Sequence, residues 1–399
     1  MKRLCAGTGG SFMDADVYIV KCENYEKADE KINELLSLMG GIGKFIQKGE
    51  KITLKANLLG AAAPGKALST HPAIVAAVGK AALKAGSVPL IADSPGSGYF
   101  YTEATLKKVY TACGMFDAAK QAGIDINMDT GYDKVSFPQG KQIKRMEVIK
   151  PITQADGVIN LCKMKTHAFM HMTGAVKNLF GIIPGLSKVG YHASLYDTGR
   201  FANMLLDLDQ YVSPRLSIMD AVTAMEGDGP GTAGTPRHVG LLLASTSSLA
   251  LDIAAGEIMG LPREQNPLLI AAERRGLTPF RIEDVHITGP ELSALKIPGY
   301  KLPSTVRIDG SKAGGNPLFG RIFRSAQVQY PVVLEKSCIA CGVCVNACPQ
   351  KTIAITERHG KKQAVINPKN CIRCYCCHEL CPHKAIEIKK NAMAKILKV

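Results

Sequence analysis

The chain of 399 residues contains no tryptophan and few other aromatics, with 12 Tyr and 11 Phe. So thin a supply of stacking rings, with the lysines dispersed and no recognised nucleic-acid motif, argues against a nucleic-acid binder. Long apolar runs are also missing. No segment reaches the ~18 consecutive apolar residues of a membrane span, and the nearest approach, LLLASTSSLALDIAAGEIMGL (241–261), is interrupted by Ser, Thr, Asp and Glu. The start, MKRLCAGTGGSFMDAD, has basic residues but no apolar stretch behind them, so a secretory signal is not expected. Cys5 follows no apolar run, which argues against a lipid anchor. Cysteine is scarce through the first 337 residues, with only Cys5, Cys22, Cys113 and Cys162. That excludes the dense disulfide framework of small secreted domains. These absences predict a soluble cytoplasmic protein. At 46% hydrophobic residues, 39 Gly and 21 Pro, it reads as globular and turn-rich, long enough for two or three domains.

What is present is concentrated at the end. Nine of the 13 cysteines fall between Cys338 and Cys381. CIACGVCVNACP places Cys338, Cys341, Cys344 and Cys348 at the spacing C-x2-C-x2-C-x3-C-P, and CIRCYCCHELCP repeats it with Cys371, Cys374, Cys377 and Cys381. This is the bacterial ferredoxin run for 4Fe–4S cubes. Three thiolates on a tight loop wrap one cube, and the fourth, a helical step later, reaches the other. The expected sets are therefore Cys338, Cys341, Cys344 and Cys381 for one cluster, and Cys371, Cys374, Cys377 and Cys348 for the second. Zinc sites use paired CxxC knuckles with a single four-ligand set, which these runs do not match. Cys376 is surplus to the spacing and is read as a non-ligand thiol. TIAITERHGKKQAVIN between the runs predicts two short strands around a His-Gly turn. Residues 331–390 thus resemble a two-cluster bacterial ferredoxin, a type of domain that relays single electrons. Two clusters favour a relay over a structural clip.

The preceding sequence alternates strand and helix patterns. Strands are expected at 16–22, 51–59, 88–96, 155–167, 215–222 and 237–245, and helices at 71–86 and 248–261. This predicts an α/β domain, a mostly parallel sheet flanked by helices, over 15–310, then a linker over 311–330 and a small α+β ferredoxin-like domain over 331–390. Open sheets of this kind bind ligands beyond the carboxyl ends of their strands, where Lys55, Asn57, Asp93, Ser94, Lys163, Lys165, His167 and Asp220 fall. KMKTHAFMHMTGAVKNLFGIIPG (163–185) is the densest stretch. Lys163, Lys165 and His167 alternate, so an extended chain directs them to one side, and Lys177 and Asn178 follow. The cluster would suit a carboxylate or phosphate, with His167 available for proton transfer. A solvated basic strand end with a core histidine reads the same residues equally well.

KANLLG…STHPAIVAAV, IADSPGSG, INLCKMKTHAFMHMTGAVKNLFGIIPG, MDAVTAMEGDGPG and LALDIAAGEIMG resemble the domain of unknown function 362 family, many of whose members carry a ferredoxin tail. The resemblance implies an α/β domain with a pocket and a polar signature of Lys55, Asn57, His71, Asp93, Lys163, Lys165, His167, Lys177, Asn178, Asp220, Glu226 and Asp252, without assigning roles. From these, Lys163, Lys165, His167 and Lys177 are the catalytic candidates. Lys55, Asn57, Asp93 and Asn178 are the candidates for holding substrate or cofactor. His71, before Pro72, reads more simply as a helix-start residue, and Asp252 equally as a salt-bridge partner. His192 and Arg200 are weaker anion contacts. GPGTAG (229–234) matches G-x-G-x-x-G but leads into a strand, so it is not a nicotinamide signature.

The formal charge is +15, and two oxidised cubes at about −2 each still leave a basic protein. An acidic redox partner or a small anionic substrate accounts for the excess. The terminal KKNAMAKILKV reads as a solvated amphipathic end. Three functions follow. The first is an iron–sulfur oxidoreductase passing low-potential electrons to a small anionic substrate in the α/β domain. The second is an electron carrier whose α/β domain docks a partner. The third is a non-redox enzyme with structural clusters. A flavin is not indicated by the sequence.

Overall fold

The computed structural model describes residues 15–96, 98–306 and 329–390. The expected linker, apart from Gln329 and Tyr330, and the terminal basic segment beyond Lys390 lie outside the described residues.

Strands β1 (Asp16–Lys21), β2 (Lys51–Lys55), β3 (Val88–Ala92) and β4 (Asp125–Ile126) alternate with helices. A hairpin of β5 (Tyr132–Ser136) and β6 (Arg145–Ile149) pairs only with itself. Strands β7 (Gly157–His167), β8 (His171–Thr173), β9 (Leu216–Gly227), β10 (Gly234–Ser245) and β11 (His286–Thr288) complete a nine-stranded sheet among the described residues. Its order is β11-β1-β10-β9-β7-β2-β3-β4, with β8 folded back on the end of β7. Pairing is parallel from β9 through β4 and between β1 and β11, and antiparallel where β10 meets β1 and β9. The sheet is mixed and mostly parallel, as the alternating pattern predicts.

Both faces are buried, which explains why the central strands read as continuous apolar runs. Successive side chains of a strand point to opposite faces. In β10, Leu242 and Ala244 pack with Ile32 and Leu35 of the helix Ala28–Leu38 and with Val75 and Val78 of the helix Pro72–Lys84. Leu241 and Leu243 face the other way, onto Leu251, Ala254 and Ile258 of the helix Ser248–Met259. That helix is apolar all round and correspondingly buried. His71 caps the helix Pro72–Lys84, its Nδ1 accepting from the Ala73 amide at 3.2 Å, so the helix-start reading holds. No helix among the described residues is long and apolar enough to cross a membrane.

The C-terminal domain is built from short antiparallel pairs. Strand β12 (Gln329–Val333) pairs with β15 (Ile386–Lys390), and β13 (Ile353–Arg358) with β14 (Lys361–Ile366). The β13–β14 turn is His359-Gly360, both with positive φ (51° and 71°), as a two-residue type I′ hairpin requires. Short helices Val343–Ala347 and Cys376–Glu379 supply the step before Cys348 and Cys381.

Candidate functional site

Two small cavities in the C-terminal domain are lined by different cysteines. Cys338, Cys341, Cys344 and Cys381 line one, and Cys348, Cys371, Cys374 and Cys377 line the other. Backbone amides are directed at three of the sulfurs: Ala364 N–H to Cys338 Sγ at 3.4 Å, Thr352 N–H to Cys348 Sγ at 3.3 Å, and Ala385 N–H to Cys381 Sγ at 3.3 Å. Such donors stabilise thiolate charge, the form an iron–sulfur core requires. Four thiols around each cavity, with amides on the sulfurs, fit a 4Fe–4S cube. Cys376 lines neither cavity and is buried, its Sγ facing the Cys374 carbonyl at 4.0 Å.

A polar pocket lies at the carboxyl ends of the parallel strands, where topology places ligand sites in open α/β sheets. It encloses about 490 Å³ of empty space, mouth included. From the sequence candidates it brings together Asn57, Asp93, Lys165, His167, Lys177 and Asn178. Lys55 lies just behind the wall, its ammonium 2.7 Å from Asp93 Oδ1, and Asp93 Oδ2 also accepts the Leu58 amide at 2.8 Å. This buried pair approaches the backbone of Gly181 so closely that a Cβ there would sit 2.1 Å from Asp93 Oδ1. Asn178 bridges the strands from below, donating to Asn160 Oδ1 at 2.7 Å and accepting from Asn57 Nδ2 at 3.0 Å.

Lys163 does not join the pocket. The β7–β9 register shifts between Lys163 and Lys165. The Lys163 ammonium turns to Asp220 Oδ2 at 2.7 Å and the Tyr25 hydroxyl at 3.0 Å. Tyr25 in turn stacks on His71, with ring centroids 3.5 Å apart. The extra residues at this irregularity lie on β9, so β7 keeps its alternation, and Lys163 stays out of the pocket because Asp220 and Tyr25 hold it as a buried structural partner. Among the described residues Asp252 pairs with no lysine. Its carboxylate accepts the amides of Ala175 at 2.5 Å and Val176 at 3.1 Å, fixing the short turn that carries Lys177. Arg200 is exposed and away from the pocket.

Three ionisable wall residues lie outside the catalytic and ligand-holding candidates. Lys188 and His192 stand four apart on the helix Ser187–Ser194, hence on one face. The sequence carries that i,i+4 signal, and His192 was visible as an anion contact, but Lys188 was not. Glu379 comes from the cysteine-rich domain, between Cys377 and Cys381. No local pattern signals its presence there.

The ammonium groups are held differently. Lys188 donates to the Ser94 carbonyl (3.2 Å), Ser94 Oγ (2.8 Å) and the Pro95 carbonyl (2.9 Å), which uses all three N–H bonds. Lys165 donates to Asn57 Oδ1 at 2.5 Å and the Leu68 carbonyl at 2.6 Å, leaving one. Lys177 lies over the Phe180 ring, 5.8 Å from its centroid, with no hydrogen bond to its ammonium among the described residues. Burial drives Lys165 down to about 7 against the attraction of Glu379, and Lys188 to about 7 against Asp93. Lys177 is lowered by burial too, and Glu379 is raised by burial against the pull of Lys177 and Lys165.

His167 has a defined tautomer. Its Nδ1 accepts the amides of Phe169 at 3.0 Å and Met170 at 3.2 Å, so the proton resides on Nε2, which faces Glu379 Oε2 at 3.8 Å. Burial and then the Lys177 charge push its pKa well below the ordinary histidine range. The sequence suggests His167 as a proton shuttle, whereas the geometry makes it a neutral, fixed N–H donor.

The glycine-rich segment finds its role at the domain junction. A Cβ at Gly231 would lie 1.8 Å from the Glu379 carbonyl oxygen. Thr232 Oγ1 donates to the Cys381 carbonyl at 2.6 Å, and the His378 ring meets the Asp228 carbonyl at 3.0 Å. The loop seats the second cysteine run against the α/β domain, while Pro230 lines the pocket opposite.

The chain is similar to several known proteins. A thylakoid-associated protein of Synechocystis sp. is 34% identical over 305 residues, covering 74% of this chain and 89% of its own. Among solved structures, the lactate racemase apoprotein of Thermoanaerobacterium thermosaccharolyticum superposes with a TM-score of 0.39 at 12% identity, over 65% of this chain and 60% of that one. A Thermotoga maritima protein gives a TM-score of 0.32 at 11% identity, over 55% of each chain. A 4Fe-4S dicluster domain matches residues 337–385, and the domain of unknown function DUF362 matches residues 52–257. The chain belongs to the DUF362 family and carries a ferredoxin-type 4Fe–4S domain behind the family domain.

Proposed function

We propose that this protein is an iron–sulfur oxidoreductase that delivers single electrons through two 4Fe–4S clusters to a small anionic substrate in the pocket at the domain junction. The observation that supports this most strongly is the origin of Glu379. One wall of the lysine-rich pocket is the same peptide that supplies Cys377 and Cys381, one cysteine for each cavity. Two residues of chain span at most about 7 Å, so pocket and clusters are neighbours by covalent connection. When bound, the clusters supply one-electron transfer at low potential.

The remaining chemistry belongs to the chain. Lys165 and Lys177 attract and orient the anion. His167 offers its Nε2–H from a fixed position, and Lys188 braces the Ser94–Pro95 turn. Lys165, poised near neutrality, takes up or releases the accompanying proton. The basic surface suits an acidic electron donor, and free thiols in such number suit the reducing cytoplasm.

The test is reoxidation of the dithionite-reduced holoprotein by a panel of small carboxylates under anaerobic conditions. Lys165→Met and Lys177→Met should each abolish substrate-driven reoxidation while leaving iron and sulfide content unchanged. If both variants reoxidise at the wild-type rate, the pocket is not where electrons leave.

A further inference from the structure

Two polar atoms on the pocket wall have no partner. Thr173 Oγ1 and His192 Nδ1 make no hydrogen bond among the described residues, although the two residues are only 4% and 2% exposed. Both residues line the pocket. Buried polar groups are nearly always satisfied, and those that are not require an explanation. Internal strain is a poor one here. Thr173 sits in a regular strand pair, directly opposite Lys165, and His192 is stacked on Phe201 with centroids 4.6 Å apart.

Their placement repeats. Lys165 and Thr173 are cross-strand partners, so their Cβ atoms are about 4.5–5.5 Å apart on one face. Lys177 and His192 share the Phe180 ring, the ammonium at 5.8 Å and the imidazole centroid at 5.6 Å. Each available ammonium is thus accompanied by one unpaired, uncharged hydrogen-bonding group. A ligand that satisfies both kinds needs an anionic group and, close beside it, a neutral oxygen that can both donate and accept. A carboxylate only accepts, so a bare carboxylate can pair with the Thr173 hydroxyl but not with His192 Nδ1 in the tautomer that leaves this nitrogen an acceptor, whereas a hydroxyl serves both. The space open to a water-sized sphere is only about 50 Å³, which limits the rest of the molecule, since pockets for drug-sized ligands start at about 300 Å³.

Resting on the anion-pocket reading above, we infer that the ligand is a short carboxylate bearing a hydroxyl group on the adjacent carbon, the carboxylate held by Lys165 and Lys177 and the neighbouring hydroxyl by Thr173 and His192.

The experiment is calorimetric titration of the anaerobic holoprotein with three probes: acetate, glycolate and inorganic phosphate. Acetate and glycolate differ by one hydroxyl. Glycolate should bind roughly tenfold more tightly than acetate or better, the effect of satisfying a buried group otherwise left unpaired. Thr173→Val keeps the side-chain shape and should bring the two affinities within about twofold, while Thr173→Ser should preserve the difference. Iron content identifies any variant that has not folded, and Thr173→Ser then carries the comparison. Equal binding of acetate and glycolate by the wild-type protein, or a Thr173→Val variant that still discriminates, overturns the inference and leaves the anion pocket standing. Phosphate binding more tightly than glycolate also overturns it, in favour of a tetrahedral oxyanion. No binding of any probe overturns the anion pocket itself.

Discussion

Replacement of Gly231 by Ala tests whether the cysteine-rich domain is seated as described. The added Cβ would stand 1.8 Å from the Glu379 carbonyl oxygen, 2.6 Å from its carbon and 2.9 Å from its Cα. All three are backbone atoms, so no rotamer relieves the clash. To reach even 3.0 Å, the two segments must separate by more than ~1 Å, too far for the Thr232–Cys381 and His378–Asp228 hydrogen bonds to keep their geometry. Overpacking costs about 1–3 kcal/mol, and each lost bond adds about 1 kcal/mol. A weakening of roughly 3–5 kcal/mol lowers the docking equilibrium about 100- to 4,000-fold. Gly98→Ala provides the control, because its nearest obstacle, at 2.5 Å, is the tip of the Leu380 side chain, which can rotate away. Hydrogen exchange would read the outcome. Gly231→Ala should speed exchange at residues 228–234 and 375–381, with iron content unchanged, and Gly98→Ala should leave both segments near wild type. Native exchange in Gly231→Ala would refute the proposed contact between loop and cysteine run.

Anion binding should weaken with rising pH. Lys165 in the free protein titrates at about 7, and a bound anion favours its ammonium form, so binding takes up a proton. Affinity for glycolate should therefore fall above pH ~7, by at most about tenfold per unit for one proton, and calorimetry in buffers of different ionisation enthalpy should show proton uptake. A pH-independent affinity would remove Lys165 from the site. Asp220→Asn strands the buried Lys163 ammonium beside Tyr25 and should cost about 3–5 kcal/mol in denaturant unfolding, whereas a loss below about 1 kcal/mol would contradict the buried pair. Cys348→Ser should remove the cluster assigned to Cys371, Cys374 and Cys377 and spare the other, while Cys376→Ser should keep full iron content. Iron analysis with electron paramagnetic resonance distinguishes these outcomes.

The strand–helix order was legible because each element carries its own period. The Leu241–Ala244 alternation, for example, is buried on both sides by helices the sequence also marks. The cysteine sets were legible because cluster ligation demands a local spacing. The pocket was legible only in part. Asn57, Asp93, Lys165, His167, Lys177 and Asn178 mark strand ends and the turns after them, which topology gathers. Lys163 was misplaced because its ammonium is taken by Asp220 and Tyr25, partners from distant parts of the chain that an alternating pattern does not reveal. The role of His167 depends on two backbone amides folding back onto Nδ1, and residue type alone cannot specify that. Glu379 enters from another domain, a long-range packing outcome with no local signature.

The account depends most on the clusters and the pocket forming one electron path. Electron paramagnetic resonance of the dithionite-reduced, anaerobically purified holoprotein, recorded with and without saturating glycolate, addresses this directly. The account predicts iron–sulfur signals of which at least one shifts when glycolate binds, with the shift absent in Lys165→Met. Signals identical in the two samples under proven saturation, or material holding zinc in place of iron, would contradict it.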